Sequence, residues 1–219
     1  MSVTSGGAGD RLEVLRSALV PVADSHVEWA PTAGGGRGPR PAAVLALLSD
    51  HPSPDLLFTE RSRHLRHHAG QISFPGGRID PGDTSPAAAA LREANEEVGL
   101  RSEAVTLMGE LPATALTTTF FRVTTAVGLW DGRGMLVPEE AEVAAVHRYP
   151  VDLLADPSTR RSARHPLGGS GPAFVLDDIV IWGFTAHLVD HLLRLAGWEQ
   201  PWDEEHLIDV PRRFLRSGL

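Results

Sequence analysis

Helical and strand-like spacings of hydrophobic residues succeed one another along this chain. Leu12, Leu15 and Leu19 share one face of a predicted helix over residues 11–20. Apolar runs of strand length predict strands at residues 42–48, 56–59, 105–111, 120–129 and 143–149. Further on, the pattern predicts a helical turn at 151–154, a surface loop at 158–171, a hairpin from 174–176 and 179–182, and a helix at 185–196. Strands mixed with helices indicate an α/β (α+β) fold.

The best-specified element is a helix between Ser85 and Gly99. Ser85 suits the N-cap, Pro86 suits the first helical position, and Gly99 suits the position just past the end. The alanines between them, with Val98, form an apolar face of small side chains. We expect that face to pack closely on a sheet while the opposite face points into a cleft.

The polar face of this helix carries three acids, Glu93, Glu96 and Glu97. Residues three and four apart are neighbours on a helix, so these carboxylates share one stripe and repel each other without a counter-charge. Carboxylate oxygens are natural ligands of Mg²⁺, which would supply that charge. Arg92 precedes Glu96 by four residues and can orient or partly neutralise the stripe. For an isolated motif of this kind, a solvated surface is the commoner explanation.

A glycine turn, Gly76 and Gly77, comes shortly before this helix. Glycines allow backbone N–H groups to approach phosphates without a Cβ in the way. Together the turn and the acids are compatible with a phosphate group held beside a metal ion. Glu97, and Glu142 in the strand-like stretch 142–149, are acids that could act as a ligand or base at such a site.

A basic cluster lies upstream in a chain whose net charge is −8. Arg61, Arg63 and Arg66 fall within six residues, among several histidines. Arginine matches phosphate oxygens bidentately, so the cluster predicts recognition of an anion. The alternative is an ordinary solvated arginine face. A second histidine pair, His187 and His191, has a spacing that can bind metal, but without a third ligand nearby we prefer a structural role for it.

Composition excludes several classes of chemistry. The 219 residues contain no cysteine, and all 20 basic residues are arginine, so disulfides, thiolate nucleophiles and lysine catalysis are absent. Net negative charge argues against general nucleic-acid binding. No apolar run reaches membrane-spanning length and the N-terminus lacks a signal-peptide pattern. We therefore expect a cytoplasmic protein that binds neither nucleic acid nor membrane.

The glycine turn, loop and acidic helix resemble the Nudix box of hydrolases that cleave a nucleoside diphosphate linked to another group. The usual box has G, five residues, E, seven residues, then R-E-U-x-E-E-x-G-U, where U is aliphatic. Gly77 takes the first position, Asp83 stands where glutamate is usual, and eight residues separate Asp83 from Arg92. Ala94 and Leu100 occupy aliphatic positions, and the half from Arg92 to Leu100 is intact.

The upstream segment is similar to an additional motif of the coenzyme A pyrophosphatase branch of the Nudix family, L-L-T-x-R-S, two residues, L-R-x-H-x-G, three residues, F-P-G-G. The positions in register are Thr59, Arg61, Ser62, Leu65, Arg66, His68, Gly70, Phe74, Pro75, Gly76 and Gly77. Phe58 replaces a leucine, and the altered loop around Asp83 also looks like this branch. The resemblance covers about residues 40–196.

This resemblance implies an α/β/α sandwich with a mixed β-sheet and hydrolysis of the coenzyme A diphosphate to 3′,5′-ADP and 4′-phosphopantetheine. The implied metal is Mg²⁺ or Mn²⁺ on Glu93, Glu96 and Glu97. The catalytic candidates are Glu97, Glu96, Arg92 and Glu142, and the substrate-binding candidates are Arg61, Arg66, Gly76 and Gly77. Two alternatives remain: hydrolysis of another nucleoside diphosphate derivative such as ADP-ribose, and a Nudix domain that senses a ligand without catalysis.

The expected organisation has three parts. Residues 1–39 would form a helix and a flexible loop, residues 40–196 the Nudix hydrolase domain, and residues 197–219 a C-terminal tail. The tail packs either on the domain or on a second copy of the chain, in which case the protein is a homodimer. The sequence leaves both open.

Overall fold

A computed structural model describes residues 8–22, 38–65, 67–116, 120–165, 168–211 and 214. In chain order its helices and strands are α1 (Ala8–Ala18), β1 (Arg40–Ser49), β2 (Asp55–Arg61), β3 (Ile72–Ser73), β4 (Gly76–Arg78), α2 (Pro86–Val98), β5 (Val105–Leu116), β6 (Phe121–Trp130), β7 (Val143–Pro150), α3 (Val151–Ala155), β8 (Arg160–Arg164), β9 (Ser170–Leu176), β10 (Ile179–Ile181), α4 (Gly183–Leu195) and β11 (Leu207–Asp209). The predicted mixture of helices and strands is confirmed.

These elements belong to two compact units, each built from separate stretches of chain. Leu19–Asp50 and Phe74–Glu139 form the first, which we call the box unit. Met1–Ala18, His51–Ser73 and Glu140–Leu219 form the second, which we call the flanking unit.

The box unit is a mixed sheet covered by α2. Its strands run in the order β4, β1, β6, β5, with β1 and β6 parallel and the other neighbours antiparallel. Helix α2 packs on β1 and β6. Its apolar face is fully buried at Ala90, Ala94 and Val98. The same is true of Ala43 and Leu45 of β1. Small side chains let the helix approach the sheet closely, so the polar face of α2 is held at a fixed height above the strands.

The ends of α2 form as predicted. The Ser85 hydroxyl accepts a hydrogen bond from the Ala88 N–H at 3.0 Å, and Pro86 occupies the first turn. Gly99 ends the helix in the left-handed conformation at φ 67°, where its N–H bonds to Asn95 and Ala94 carbonyls.

The flanking unit contains two groups of strands. β2 pairs antiparallel with both β3 and β7. A separate sheet has the order β10, β9, β8, β11. Helix α4 packs on β9 and contacts α1. The predicted hairpin is confirmed as β9 and β10, whose turn places Asp177 at φ 52°.

The prediction of a surface loop at residues 158–171 is wrong. Arg160–Arg164 is strand β8, paired antiparallel with β9. Arg160 is 1% exposed and forms an ion pair with Asp190. Its Cζ lies 4.7 Å from the centroid of the Phe174 ring and 4.5 Å from that of the Trp202 ring. A paired, ring-stacked arginine can be buried in a strand, although its composition suggests solvent.

The C-terminal tail contributes to the flanking unit. Strand β11 pairs parallel with β8, and Val210 and Phe214 join a buried cluster with Ala163, Ala173 and Val180. The first helix covers residues 8–18 rather than 11–20, because Val20 leaves it to form a β-bridge with Glu110. The predicted flexible loop falls mostly on residues 23–37, which lie outside the described ranges.

No helix within the described ranges combines the length and the apolar character needed to cross a bilayer.

Candidate functional site

The two glycines predicted to form a turn belong instead to strand β4, which pairs antiparallel with β1. This segment, for which we keep the name glycine turn, lies directly against two of the three acids of α2. The Gly76 N–H donates a hydrogen bond to a Glu97 carboxylate oxygen at 3.2 Å. The Glu93 carboxylate lies so close to Gly77 that a Cβ there would be 2.5 Å from its carboxyl carbon. Glu97 is only 4% exposed. The Glu93 carboxylate therefore occupies space that a side chain at residue 77 would fill.

Gly76 has a different reason to be glycine. Its φ is 154°, and a Cβ there would lie 2.3 Å from the Ala43 carbonyl oxygen and 2.6 Å from the Val44 Cα. The turn is pressed against the backbone of β1, where any side chain would collide with main-chain atoms. The two glycines thus have different roles. Gly76 allows close contact with the backbone of β1, and Gly77 leaves room for the Glu93 carboxylate.

Arg92 forms hydrogen bonds with two acids of the stripe, Glu93 and Glu96. Its Nη1 donates to Glu93 at 3.1 Å and to Glu96 at 3.0 Å. Its Nη2 donates to the Arg78 carbonyl oxygen at 3.0 Å, which ties the helix to the end of β4. The surrounding carboxylates raise the pKa of Arg92, first among them Asp83. Arg92 therefore remains charged and holds the acids in one place.

Asp83 anchors the loop between the glycine turn and the helix. It accepts two hydrogen bonds from Arg92, at 3.0 and 3.1 Å, and one from the Asp80 N–H at 2.7 Å. The bond from Arg92 is the main cause that holds the pKa of Asp83 below its ordinary value. The shorter acid at this position thus closes the loop locally and grips Arg92 bidentately.

The oxygen donors of the stripe fit a hard divalent cation by their chemistry. They are not assembled as a cage: within the ranges described, no group of three His, Asp or Glu side chains stands ready to hold a metal ion. Arg92 Nη1 instead satisfies Glu93 and Glu96, and Glu96 is 57% exposed at its side chain. A cation on all three acids requires the first two to exchange an arginine bond for the metal.

Arg61 and Arg63 of the basic cluster lie in the flanking unit, in a segment that backbone hydrogen bonds close between Arg61 and Gln71 and that we call the basic turn. The Arg61 N–H donates to the Gln71 carbonyl at 2.9 Å, and the Gly70 N–H donates to the Arg61 carbonyl at 2.9 Å. Arg63 is exposed and lies 3.7 Å from Glu60. Arg66, the other predicted substrate-binding arginine, lies outside the described residues.

Glu142 lies beside Arg61 in the flanking unit but not in a strand. Strand β7 begins at Val143, opposite Arg61, and Glu142 is the exposed residue just before it. Its carbonyl accepts a hydrogen bond from the Ser62 N–H at 2.7 Å, so the start of β7 lies next to the start of the basic turn. The predicted strand at 143–149 is therefore confirmed, whereas Glu142, expected in the strand-like stretch 142–149, lies just before the strand. The catalytic role of Glu142 stays a prediction.

Sequence reasoning missed Glu110. This glutamate of β5 is 2% exposed and accepts a hydrogen bond from the Ala87 N–H at 3.1 Å. Ala87 is in the first turn of α2, where N–H groups lack helical partners and a negative charge is favourable. The available signal was a single acid inside the apolar stretch 107–111. Glu110 supports the start of the helix that carries the acidic stripe.

The histidine pair of α4 forms no metal centre in the described part of the chain. The His187 ring lies against Gly171, whose Cβ would be 2.7 Å from Nε2, although His187 and His191 are both exposed as whole residues. Desolvation of its ring is the main cause that lowers the pKa of His187. The structural role preferred for this pair stays a prediction.

A mixed α/β fold with an acidic helix packed against two glycines is the arrangement expected of a Nudix hydrolase, and comparison with known proteins supports this class. The NUDIX domain matches residues 39–167. The uncharacterised Nudix hydrolases NudL of Escherichia coli O7:K1 (strain IAI39 / ExPEC) and of Salmonella newport (strain SL254) are each 39% identical over 165 residues, which cover 72% of this chain and 83% of theirs.

Among solved structures, the Nudix hydrolase RenU of M. smegmatis superposes with a TM-score of 0.53 at 20% identity, covering 76% of this chain and 91% of that one. This likeness concerns the fold alone.

The chain therefore belongs to the Nudix family, in its NudL-like branch. It is a Nudix diphosphatase, that is, an enzyme rather than the non-catalytic ligand sensor considered as an alternative. Nudix hydrolases generally use divalent metal ions and act on small-molecule substrates.

Proposed function

We propose that this enzyme hydrolyses the diphosphate of coenzyme A, or of its derivatives, to 3′,5′-ADP and 4′-phosphopantetheine, with Mg²⁺ or Mn²⁺ as cofactor. The observation that carries the proposal is the unbroken register from Thr59 to Gly77, which joins the basic turn to the glycine turn. Coenzyme A carries a diphosphate and a separate 3′-phosphate. A substrate with two anionic regions suits a chain that offers both an acidic metal stripe and a basic turn.

In this proposal Glu93, Glu96 and Glu97 would hold the metal, which supplies charge neutralisation at the diphosphate and a more acidic bound water. Arg92 holds Glu93 and Glu96 in position through its Nη1, and these two carboxylates would have to exchange that hydrogen bond for the cation. Glu97 is the better-placed candidate base, because the Gly76 N–H fixes its carboxylate.

Arg61 and Arg66 are proposed to bind the part of the substrate that the metal stripe does not. Arg61 is the last residue of β2, is partly exposed, and has its backbone held by two hydrogen bonds. Gly76 and Gly77 are proposed to face the diphosphate. The Gly76 N–H donates its hydrogen bond to Glu97, so the contribution of Gly76 that the structure shows is to orient the Glu97 carboxylate. Glu142 remains a proposed second base or ligand.

The test is a substrate panel with product analysis. The purified chain is incubated with coenzyme A, ADP-ribose and a dinucleoside polyphosphate, each with Mg²⁺ or Mn²⁺, and the products are separated and identified. We expect coenzyme A to give 3′,5′-ADP and 4′-phosphopantetheine with the highest kcat/KM. A tenfold preference for ADP-ribose over coenzyme A would replace this substrate with the alternative nucleoside diphosphate derivative.

The remaining assignments accompany this proposal. Residues 40–196 would be the catalytic domain, and a cytoplasmic location would give access to coenzyme A. Whether two chains form a homodimer is decided by measuring the mass of the protein in solution.

A further inference from the structure

The side chain of Gln71 links the tail to the basic turn. Its Nε2 lies 2.8 Å from the Phe214 carbonyl oxygen. A carbonyl oxygen can only accept a hydrogen bond, so the amide NH₂ of Gln71 must face it. The orientation of this amide is therefore fixed by the tail, and its oxygen must point the other way.

The amide oxygen of Gln71 lies 3.0 Å from Nδ1 of His68. An amide oxygen also only accepts, so His68 must carry a proton on Nδ1 to make this bond. In a neutral imidazole the other nitrogen, Nε2, then has no proton and presents a lone pair. A carbonyl more than 140 positions away along the chain thus selects the tautomer of a histidine in the basic turn.

The surroundings of His68 favour its neutral form. Although the residue as a whole is exposed, desolvation of its ring is the main cause that lowers its pKa from the ordinary 6.5. The bond to Gln71 acts in the opposite direction, and the charges of Arg61 and His67 add to the lowering. His68 is also held in the left-handed region at φ 57°, uncommon for a residue with a Cβ.

These constraints decide what the ring can bind. A neutral Nε2 lone pair repels a phosphate oxygen, which is also an acceptor, and attracts an N–H or O–H donor. The neighbouring arginines supply donors only. Nε2 of His68 is therefore an acceptor close in sequence to the arginine donors, and the bond from Nδ1 to Gln71 orients its ring.

We propose that Phe214 and Gln71 hold His68 as its Nδ1–H tautomer, so that Nε2 binds an N–H or O–H group of the substrate rather than one of its phosphates. The binding role rests on the proposed function. In coenzyme A the neutral donors are the adenine amine, the hydroxyl groups and the pantetheine amides. The tautomer itself rests only on the geometry of this chain.

The tautomer is tested by ¹⁵N NMR of the histidine rings, with His68 assigned by comparison with His68→Asn. We expect the protonated signal on Nδ1 and the unprotonated signal on Nε2 at neutral pH. A proton on Nε2 would overturn the proposal, whether or not the enzyme hydrolyses coenzyme A.

The binding role is tested with Gln71→Glu. A carboxylate cannot donate to Phe214, and it stabilises the charged imidazolium, which donates from both nitrogens. We expect KM for coenzyme A to rise about fivefold at pH 7, as for one lost neutral hydrogen bond, with kcat little changed. The loss should recover as the pH is raised and His68 becomes neutral again. Gln200→Glu adds the same charge at an exposed position and serves as the control.

The outcomes separate the two proposals. If wild-type enzyme does not hydrolyse coenzyme A, the proposed substrate fails and the NMR result still decides the tautomer. If it does, and Gln71→Glu shows no rise in KM or a rise that high pH does not reverse, the binding role of His68 is refuted.

Discussion

Replacing Gly77 with alanine tests whether the glycine turn exists to admit the Glu93 carboxylate. The new Cβ would lie 2.5 Å from the carboxyl carbon and 2.5 and 2.6 Å from its two oxygens. Ordinary contact begins at 3.4 Å, so the carboxylate must withdraw by about 0.9 Å. Gly77 is not in the left-handed region, so alanine fits its backbone. The displaced group is the end of a flexible side chain, and the fold should absorb the change.

A shift of this size is enough to damage catalysis. A displacement of about 1 Å in a catalytic group can cost about a hundredfold in rate. Glu93 also shares Arg92 with Glu96, so its movement disturbs that pair as well. We expect kcat/KM for the hydrolysed substrate to fall about a hundredfold, while the free energy of unfolding changes by less than about 1 kcal/mol.

Gly76→Ala is the matched control, since its Cβ would meet the backbone of β1 at 2.3 Å. No side chain can rotate to relieve that contact, so this variant should lose several kcal/mol of stability, of the order found for severe mutations. The assay is urea unfolding of both variants beside steady-state kinetics at saturating Mg²⁺. Wild-type kcat/KM in Gly77→Ala would refute the reasoning, as would equal destabilisation by the two alanines.

Three further predictions follow from the described contacts. Glu97→Gln should abolish turnover and keep the fold, measured by kcat and circular dichroism, whereas near-normal kcat would exclude Glu97 as base or ligand. Arg160→Ala should lower the free energy of unfolding by about 3 kcal/mol, because it leaves the buried Asp190 with one arginine partner instead of two; an unchanged urea midpoint would contradict this. The pKa of His68 and of His187 is lowered by folding, so below about pH 6.5 the unfolded chain binds more protons than the folded one. Stability should therefore be full above that pH and decrease as the pH falls, and the slope should be smaller in His68→Asn, while an identical slope would contradict the assignment.

The acidic helix could be predicted from sequence because its signals are local. Ser85, Pro86 and Gly99 act within one turn of the residues they cap, and the spacing of the acids fixes their stripe. The contact of that stripe with the glycine turn could be expected from the family resemblance. How the two glycines divide their roles could not, because it depends on the distance of each from β1 and α2.

The missed features depend on partners distant in sequence. Arg160 belongs to a strand because Asp190, 30 residues later, and two aromatic rings receive its guanidinium. Glu110 is buried because the Ala87 N–H, 23 residues earlier, needs an acceptor. Neither pairing leaves a periodic trace in the sequence. The bond from Arg92 to Glu96 could be predicted from their spacing of four residues, whereas the bond from Arg92 to Glu93 could not.

The central claim is that the acidic stripe binds a divalent cation beside the glycine turn. Titration with Mn²⁺, followed by paramagnetic broadening of backbone amide signals, tests it without any assumption about substrate. We expect the signals of Gly76, Gly77 and the helix turn around Glu93 to broaden first, and this effect to be lost in Glu97→Gln. Broadening that begins elsewhere, or that is unchanged in the variant, would contradict the account.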